Sequence, residues 1–290
     1  MRYLIIGSGK IGIDLYIKLK KLNLSGNIFI FNRNKNSVGG RYCRKKKFNY
    51  SSGGIDHLVS FLDEGNNIIF DCTSAEASKK IYNKIQKKLS KNFYVNLTPA
   101  PIGKYFIPYF SDVKIPRSIN MITCGGQSSV PTIIEMKKVI KDIHYVEVIS
   151  SIASQSAGKA TRQNINEYII NTQRAIKQLS GIKKNKVIIN LNPSNPPVNM
   201  MNSIFFECKN FNKQKVKIAN LVLKNINKTI KKYIPGYNAK LFYQKNENFF
   251  RVTIRVVGSG DYLSTFAGNL DIITSSSAYI GKLLNEKNNY

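Results

Sequence analysis

One cysteine of this chain stands where a thiol can act as a nucleophile. Residues 120–127 read NMITCGGQ, so Cys124 follows an apolar, strand-like run and precedes two glycines that open a predicted helix. Backbone N–H groups at a helix start lower the pKa of a thiol and can hold a developing oxyanion. Cys124 is therefore a candidate nucleophile, and the alternative is a buried cysteine that packs as a small hydrophobic side chain.

Neither histidine of the chain is well placed to activate this thiol. His57 lies in a short helix of the N-terminal region, and His144 lies beyond the far end of the helix that Cys124 opens. Twelve helical residues at 1.5 Å each separate the two ends by roughly 18 Å. We therefore expect the thiolate to depend mainly on the helix start and on nearby N–H groups.

A glycine motif at the N-terminus predicts a dinucleotide-binding loop. Residues 7–12 read GSGKIG, directly after an apolar strand and directly before a helical pattern. Gly7 would allow the tight turn, Gly9 would let a pyrophosphate approach the backbone, and Gly12 would permit close helix–sheet packing. The alternative is an ordinary strand-to-helix turn.

The end of the second predicted strand leaves the choice of cofactor open. An acidic residue at this place would bind the ribose hydroxyl of NAD and repel the 2′-phosphate of NADP. Here the residues are Asn32 and Arg33. Asn32 can still hydrogen-bond a hydroxyl and Arg33 could accept a phosphate, unless Arg33 is simply a solvated loop charge.

The predicted elements of the N-terminal half place these residues at one edge of a sheet. Strands and helices alternate, which indicates a parallel sheet with crossover helices. The glycine motif and Cys124 both follow strand ends, which is where ligands bind in such sheets. The strands are predicted at 2–6, 27–31, 67–71, 93–97 and 119–123, and the helices at 13–22, 55–62 and 75–89.

The C-terminal half has longer strands and fewer helices. This pattern predicts an antiparallel sheet covered on one side by helices, an α+β domain. A terminal helix is predicted at 265–285. The strands are predicted at 144–153, 186–191, 203–209, 240–245 and 249–257, and the other helices run from Pro131 to about 143 and over 165–179 and 216–233.

A polar loop of small residues joins the first of these strands to a helix. It can form a backbone cradle for a cofactor or substrate, or it can serve only as the helix cap, with Thr161 as the capping residue. The candidate binding residues in it are Gln155, Ser156, Ala157, Gly158, Lys159, Ala160, Thr161, Arg162 and Gln163.

Composition excludes several classes of protein. The chain has 290 residues, 42% of them hydrophobic, and no apolar run long enough to span a membrane or to act as a signal peptide. Its four cysteines are far apart and lack accompanying histidines, which argues against zinc and disulfides and favours a cytoplasmic setting. The net charge of +29 comes from lysines spread along the whole chain. We therefore expect no specific nucleic-acid site, only weak adsorption to polyanions.

Several blocks along nearly the whole chain resemble one enzyme family, the acylating (CoA-dependent) acetaldehyde dehydrogenases that partner 4-hydroxy-2-oxovalerate aldolase. Because the blocks occur in order from end to end, a chance glycine motif cannot explain them. They are IIGSGKIGIDL (5–15), FDCTSA (70–75), NLTPAPIGKY (96–105), NMITCGGQSSVP (120–131), HYVEVISSIASQSAGKATRQNINEY (144–168), NPSNPP (192–197), YIPGY (233–237) and GSGDYLSTFAGNLDIIT (258–274).

The resemblance implies a fold similar to that of glyceraldehyde-3-phosphate dehydrogenase. Residues 1–123 would form a Rossmann domain completed by the C-terminal helix, 265–290, and residues 124–264 a catalytic α+β domain that carries a homodimer interface. The implied reaction converts acetaldehyde, NAD and CoA to acetyl-CoA and NADH. By position, Cys124 matches the acyl-thioester nucleophile and Asn269 an asparagine on the nicotinamide side. Ser8, Gly9, Lys10 and Ile11 match the pyrophosphate loop, and residues 155–163 match a second cofactor-contacting segment.

Three departures from the family pattern concern cofactor and catalysis more than fold. Asn32 replaces the usual ribose-binding aspartate, Asn202 stands where an aspartate is expected near the active site, and the loop 34–50 is unusually basic. NADP therefore stays open beside NAD. Two other functions also stay open: another cysteine-dependent aldehyde or semialdehyde dehydrogenase of the same fold, and a catalytically decayed subunit that binds the aldolase.

Overall fold

The computed structural model describes residues 1–244 and 247–287, without the side chains of Lys159, Ala160 and Lys287. The chain divides into two compact units. The first contains residues 1–121, 261–263 and 273 onward, and the second contains residues 122–260 and 264–272.

The first unit is built on a seven-stranded sheet in which every recorded pair of neighbouring strands is parallel. The strand order is β3-β2-β1-β4-β5-β7-β6. Strands β2 and β3 are therefore added on one side of β1, and the later strands on its other side. This order and the glycine loop after β1 are those of a dinucleotide-binding sheet. The strands are β1 (Arg2–Ile6), β2 (Ile28–Phe31), β3 (Tyr50–Ser51), β4 (Asn67–Asp71), β5 (Phe93–Asn96), β6 (Lys104–Tyr105) and β7 (Ser118–Asn120).

Helices cover both faces of this sheet. The strands are apolar on both sides, so alternate residues of β1 enter two separate cores. Tyr3 and Ile5 pack with α1 and with the C-terminal helix α9, whereas Leu4 and Ile6 pack with α3 and the segment after α4. The helices are α1 (Lys10–Lys21), α2 (Val38–Lys45), α3 (Gly54–Leu62), α4 (Ala75–Ile85) and α9 (Gly268–Lys287), of which residues 273–287 belong to this unit.

A buried ionic network holds the returning chain against α1. The Asp14 carboxylate is completely buried and accepts hydrogen bonds from the Thr274 hydroxyl at 2.5 Å and from the Tyr262 N–H at 3.3 Å. Lys18 Nζ lies 3.0 Å from Asp14 and 2.8 Å from Asp261. Because Asp14 and Asp261 are both carboxylates, they compensate the buried charge of Lys18.

The basic segment after β2, for which no element was predicted, contains helix α2. Ser37 caps its N-terminus by accepting a hydrogen bond from Gly40 N–H at 3.0 Å. The helix lies directly on the glycine loop: a Cβ on Gly39 would stand 1.6 Å from the carbonyl oxygen of Ser8. Glycine is therefore required at position 39 for this contact.

The second unit contains a five-stranded sheet with the order β11-β12-β10-β8-β9. The prediction of an antiparallel sheet is wrong for one pair, because β8 and β9 run parallel and are joined through helix α7. The other recorded pairs are antiparallel. The strands are β8 (Tyr145–Ala153), β9 (Lys184–Asn192), β10 (Met200–Glu207), β11 (Tyr237–Tyr243) and β12 (Phe249–Val256); Lys245, the predicted end of β11, lies outside the described residues.

Four helices complete this unit: α5 (Cys124–Val139), α6 (Lys159–Gln163), α7 (Ile165–Ser180) and α8 (Lys213–Ile230). Helix α5 contacts β8, β10, α7 and α8, so it lies at the centre of the unit. Residues 125–133 are all buried, and Pro131 lies inside the helix instead of at its start. The first turn of α5 is therefore held by packing on several sides.

Candidate active site

Cys124 is the first residue of α5, and a strained turn precedes it. Ile122 adopts φ +62°, a left-handed conformation that β-branched residues rarely take and that costs on the order of 1–3 kcal/mol. Asn171 of α7 holds this turn by donating from Nδ2 to the Ile122 carbonyl at 2.9 Å. Thr123 then caps the helix by accepting from Gly126 N–H at 2.9 Å.

The Cys124 thiol faces the phenol of Tyr168, which sequence reasoning did not single out. The Sγ donates to Tyr168 Oη over 3.8 Å, and Gly125 N–H donates to the same oxygen at 3.0 Å. Tyr168 Oη in turn donates to Ser150 Oγ at 3.1 Å, and both residues are buried. A Cβ on Gly125 would lie 2.1 Å from Tyr168 Oη, so glycine at 125 is what lets the phenol reach the thiol.

The helix start acts on the Cys124 pKa in the expected lowering direction, but the net shift is upward. Burial raises the pKa of Cys124 to about 11, although hydrogen bonds from the Tyr168 hydroxyl and from the N–H groups of Gly125 and Cys124 act in the lowering direction. Desolvation therefore outweighs the helix start here. Burial likewise raises the pKa of Tyr168 well above its usual range, and so does the adjacent Cys124.

The expected oxyanion donors are also fewer than predicted. Gly125 N–H is bonded to Tyr168 and Gly126 N–H to Thr123. Among the described residues no backbone carbonyl outside the helix accepts from Cys124 N–H, which is directed at its own sulfur. The N–H of Cys124 itself is therefore the helix-start donor that remains for a developing oxyanion.

Asn202 lies beside the first turn of α5. Its side chain is completely buried and donates from Nδ2 to the Gly125 carbonyl at 3.2 Å and to Ser128 Oγ. Its Oδ1 is buried and has no hydrogen-bond partner among the described residues. An amide suits this position because an ionised carboxylate could not donate to a carbonyl.

Both histidines have partners other than Cys124, as their sequence positions suggested. His57 Nδ1 lies 2.5 Å from Ser51 Oγ in the first unit. His144 Nε2 lies 3.4 Å from Glu207, the last residue of β10 in the second unit. Neither ring is therefore available as the base that activates this thiol.

The glycine loop of the first unit has the shape that a pyrophosphate requires. Gly7 adopts φ +105°, and a Cβ on Gly12 would lie 2.0 Å from the Gly7 carbonyl oxygen, so α1 packs closely on the loop. A Cβ on Gly9 would instead meet no atom within 4 Å. The loop therefore has open space at Gly9 and is closely packed at Gly12. Ser8 is buried, Lys10 is exposed and Ile11 is half-buried.

A cavity of about 390 Å³ lies beside this loop at the carboxyl ends of β1, β2 and β4. Arg33, Lys80 and Lys84 line it, and no acidic residue does. Lys80 pairs with Glu76 and Lys84 with Asp56, whereas the Arg33 guanidinium has no hydrogen bond to any residue that the structure describes. An anionic group in the cavity would therefore meet a guanidinium that has no hydrogen bond to give up, although Glu76 already interacts with it electrostatically.

Asn32 lies in this cavity but its amide is already used. Nδ2 donates to Ser8 Oγ at 2.7 Å and to Ser37 Oγ at 2.9 Å, and Oδ1 accepts from Arg33 N–H at 2.9 Å. The residue therefore joins the glycine loop to the start of α2. It holds the loop in place and presents no carboxylate to a ribose.

The segment 155–163 forms a short turn followed by α6. Arg162 folds the segment on itself, because its guanidinium donates to the carbonyls of Ala157 and Ser154, both at 3.1 Å. Thr161 does not cap α7; Asn164 occupies the cap position and makes no side-chain cap bond. Ser156 and Ala157 are buried and Gln155 and Gly158 exposed, while the side chains of Lys159 and Ala160 lie outside the described part.

Asn269, at the second position of α9, is buried with an unpaired oxygen. The residue is 2% exposed, and its Oδ1 has no hydrogen-bond partner among the described residues. A buried amide oxygen without a partner costs free energy unless a ligand or water satisfies it. This orphaned acceptor fits the donor of a carboxamide such as that of nicotinamide.

The structure adds three findings about other kinds of site. Within residues 1–244 and 247–287, no group of three His, Cys, Asp or Glu side chains could hold a metal ion. All four cysteines are free thiols. No helix in the described part of the chain is long and apolar enough to cross a membrane.

Comparison with known proteins identifies the family. The family model for prokaryotic acetaldehyde dehydrogenase, dimerisation, matches residues 124–264. An acetaldehyde dehydrogenase from Burkholderia pseudomallei (strain 668) is 39% identical over 282 residues, covering 95% of this chain and 92% of that protein. The acetaldehyde dehydrogenase of Pectobacterium atrosepticum is 37% identical over 287 residues, covering 97% and 94%.

Solved structures confirm the predicted fold class. A probable aspartate-semialdehyde dehydrogenase from Pseudomonas aeruginosa matches with a TM-score of 0.64, covering 98% of both chains at 9% identity. Aspartate-semialdehyde dehydrogenase II from Vibrio cholerae matches with a TM-score of 0.62, covering 98% of this chain and 97% of that one, also at 9% identity. The fold is thus shared with semialdehyde dehydrogenases, while the sequence relationship is to a different group: the chain belongs to the acetaldehyde dehydrogenase family.

Proposed function

We propose that the protein oxidises acetaldehyde to acetyl-CoA with NAD and CoA, through a thioester on Cys124. The observation that carries the proposal is the Cys124 thiol at the start of α5. It lies beside the Tyr168 hydroxyl and beside its own N–H, which has no backbone acceptor among the described residues. Neither histidine is placed to activate water there. Such a site favours transfer of an acyl group to a second thiol over hydrolysis.

In the proposed reaction the Cys124 thiolate attacks the aldehyde carbon, and Cys124 N–H stabilises the resulting oxyanion. Bound NAD supplies the hydride acceptor. Loss of hydride from the hemithioacetal carbon leaves an acetyl thioester on Cys124. The CoA thiol then takes the acetyl group, the Cys124 thiolate leaves, and the CoA proton is released. Because one thioester replaces another, little acyl-transfer free energy is lost.

We propose that residues 1–123, completed by the C-terminal helix 265–290, form the dinucleotide-binding domain and that its glycine loop holds the cofactor. Ser8, Gly9, Lys10 and Ile11 would hold the pyrophosphate, residues 155–163 would form the second contacting segment, and Asn269 would bind the carboxamide. The open space at Gly9 and the orphaned Asn269 oxygen support this assignment. NAD is the proposed cofactor. NADP is the alternative, because Arg33 lines the cavity and the Asn32 amide is already hydrogen-bonded to Ser8.

We also propose a homodimer formed through residues 124–264, the range that the dimerisation model matches. The outward face of the second unit's sheet supports this. Met201, Phe242 and Phe249 are each 44% exposed. Two of these, Phe242 and Phe249, line a cavity of about 490 Å³ together with Phe205 and Arg251. An apolar sheet face of this kind is typical of protein–protein contacts.

The proposals of an aldolase partner and a cytoplasmic setting have narrower support. The aldolase, a 4-hydroxy-2-oxovalerate aldolase, rests on the family resemblance alone. The cytoplasmic setting rests on four free thiols, which fit a reducing compartment.

The experiment that tests the proposed function is an initial-rate assay of NADH formation from acetaldehyde. It has three arms: NAD with CoA, NAD with inorganic phosphate, and NAD alone. We expect sustained turnover with CoA and at most one equivalent of NADH per Cys124 without it. Turnover supported by phosphate instead would assign the protein to a phosphorylating reaction, and absence of turnover in every arm would support the decayed aldolase-binding subunit.

A further inference from the structure

The Tyr168 hydroxyl contacts the sulfur of Cys124. The sequence patterns did not indicate a role for this residue. Its hydroxyl oxygen makes hydrogen bonds with Cys124 Sγ at 3.8 Å, Gly125 N–H at 3.0 Å and Ser150 Oγ at 3.1 Å, and the Thr123 side chain also acts on it. Tyr168 is 7% exposed and Ser150 is completely buried. The arrangement therefore excludes bulk water from the back of the sulfur.

We propose that Tyr168 is a further catalytic residue whose hydroxyl accepts from the Cys124 thiol and donates to the thiolate, with Ser150 reversing its own hydrogen bond in step. The proposal rests on Cys124 being the nucleophile of the proposed function. It adds a group that stabilises the ionised sulfur in a site without a histidine. It involves no covalent change at Tyr168 or Ser150, and the thiol proton leaves to water.

Hydrogen-bond counting shows why two hydroxyls suit this task. A phenol has one donor and two acceptor sites. With the thiol present, Tyr168 Oη accepts from Gly125 N–H and from Sγ–H, and donates to Ser150. With the thiolate present, it still accepts from Gly125 N–H, accepts from the Ser150 hydroxyl, and donates to the sulfur. Every site on the phenol is satisfied in both states, so ionisation leaves no buried orphan.

The local backbone is built to admit this phenol. Gly125 has no side chain, and a Cβ there would stand 2.1 Å from Tyr168 Oη and 2.6 Å from Ser150 Oγ. On the other side of Gly125, its carbonyl accepts from Ser129 Oγ at 2.6 Å and from Asn202 Nδ2 at 3.2 Å. Gly125 is thus fixed on both sides, which fixes the N–H that orients the phenol.

The test compares Tyr168→Phe with wild type and with Tyr145→Phe. Tyr168→Phe keeps the ring and removes only the hydroxyl. Tyr145→Phe is the matched control, because it removes a hydroxyl of the same unit that donates to Glu147 at 3.0 Å and does not contact Cys124. The readout is the rate at which iodoacetamide alkylates Cys124 in the folded protein across pH 7 to 9 without cofactor. Samples are quenched and digested, and mass spectrometry measures the alkylated fraction of the peptide that contains Cys124.

The expected change follows from the thiol pKa. Losing one hydrogen bond to a charged group raises the pKa by about one unit, which reduces the thiolate tenfold. The freed thiolate is intrinsically more reactive, with a Brønsted coefficient of about 0.4–0.5. The net alkylation rate should therefore fall about threefold at each pH. Ser150→Ala should also slow alkylation, and adding it to Tyr168→Phe should cause no further loss.

Two results would overturn the proposal. One is a Tyr168→Phe alkylation profile that coincides with those of wild type and Tyr145→Phe, with only the melting temperature changed; Tyr168 would then be structural. The other is a Ser150→Ala effect that adds fully to that of Tyr168→Phe. Alkylation requires neither aldehyde nor CoA, so this test can fail while the CoA-dependent assay succeeds, and the reverse.

Discussion

Two glycines of the same loop should respond to alanine in opposite ways. A Cβ at Gly9 meets no atom within 4 Å, whereas a Cβ at Gly12 lies 2.0 Å from the Gly7 carbonyl oxygen. Gly9 has φ −75° and ψ −178°, which alanine adopts without strain. Gly9→Ala should therefore leave the free energy of unfolding nearly unchanged and Gly12→Ala should lower it, although both remove a glycine of the dinucleotide-binding loop.

The magnitudes can be worked from these contacts. For Gly9→Ala, alanine restricts the unfolded chain, which stabilises by about 0.4–1 kcal/mol, but it is a poor helix cap, so the stability change should stay within about 0.5 kcal/mol. Its methyl fills the space proposed for the pyrophosphate, so NADH affinity should fall at least about tenfold. For Gly12→Ala, overpacking costs about 1–3 kcal/mol against a helix-propensity gain of about 1 kcal/mol. Because the atom that the methyl would meet belongs to the backbone, we expect the upper end of this range, a net loss of about 2 kcal/mol.

The assay is NADH fluorescence titration combined with urea unfolding of the cofactor-free proteins. The matched comparison controls for loss of glycine as such. If Gly9→Ala binds NADH within twofold of wild type, the pyrophosphate does not cross Gly9 and the proposed loop contacts are refuted. If Gly12→Ala unfolds at the wild-type urea concentration, the close packing of α1 on the loop is refuted.

Three further outcomes are expected. Because burial holds the pKa of Cys124 at about 11, the thiolate fraction and the alkylation rate of the cofactor-free protein should rise about tenfold per unit from pH 7 to 9, and a plateau below pH 8 would contradict this. Arg33→Ala should raise KM for NADP at least about fivefold and leave KM for NAD within twofold; equal effects on both would mean that Arg33 meets no 2′-phosphate. Phe242→Glu should shift the protein from dimer to monomer in analytical ultracentrifugation, whereas the exposed Val113→Glu should not, and an unchanged dimer in Phe242→Glu would exclude this sheet face.

The parts of the fold that local patterns determine could be predicted from sequence. The strand, glycine loop and helix at the N-terminus occupy one short stretch, and so do Cys124 and the helix that it opens. The strand predicted over 119–123 instead ends at Asn120, because the chain turns at Ile122. Helix α2 was missed because residues 38–45 contain two glycines and few apolar positions, although Ser37 was a usable cap signal. The parallel pairing of β8 with β9 was also missed, despite a strand–helix–strand order that is typical of a crossover.

The surroundings of the thiol could not be predicted, because they depend on residues distant in sequence. Tyr168 lies 44 positions after Cys124 and Ser150 lies 18 before Tyr168, and only the packing of α7 and β8 against α5 brings them together. The net direction of the thiol pKa shift could not be predicted for a related reason. A helix start is visible in sequence, whereas the burial that outweighs it is a property of the folded chain.

The most direct test of the central claim is the mass of the Cys124 peptide after one turnover. The protein is mixed with acetaldehyde and NAD without CoA, quenched in acid and digested, and a second sample receives CoA before quenching. The account predicts an acetyl group on the peptide that contains Cys124 in the first sample, and its loss with formation of acetyl-CoA in the second. An acetyl group on a different residue, or CoA-dependent NADH formation by Cys124→Ser at more than about one-hundredth of the wild-type rate, would contradict it.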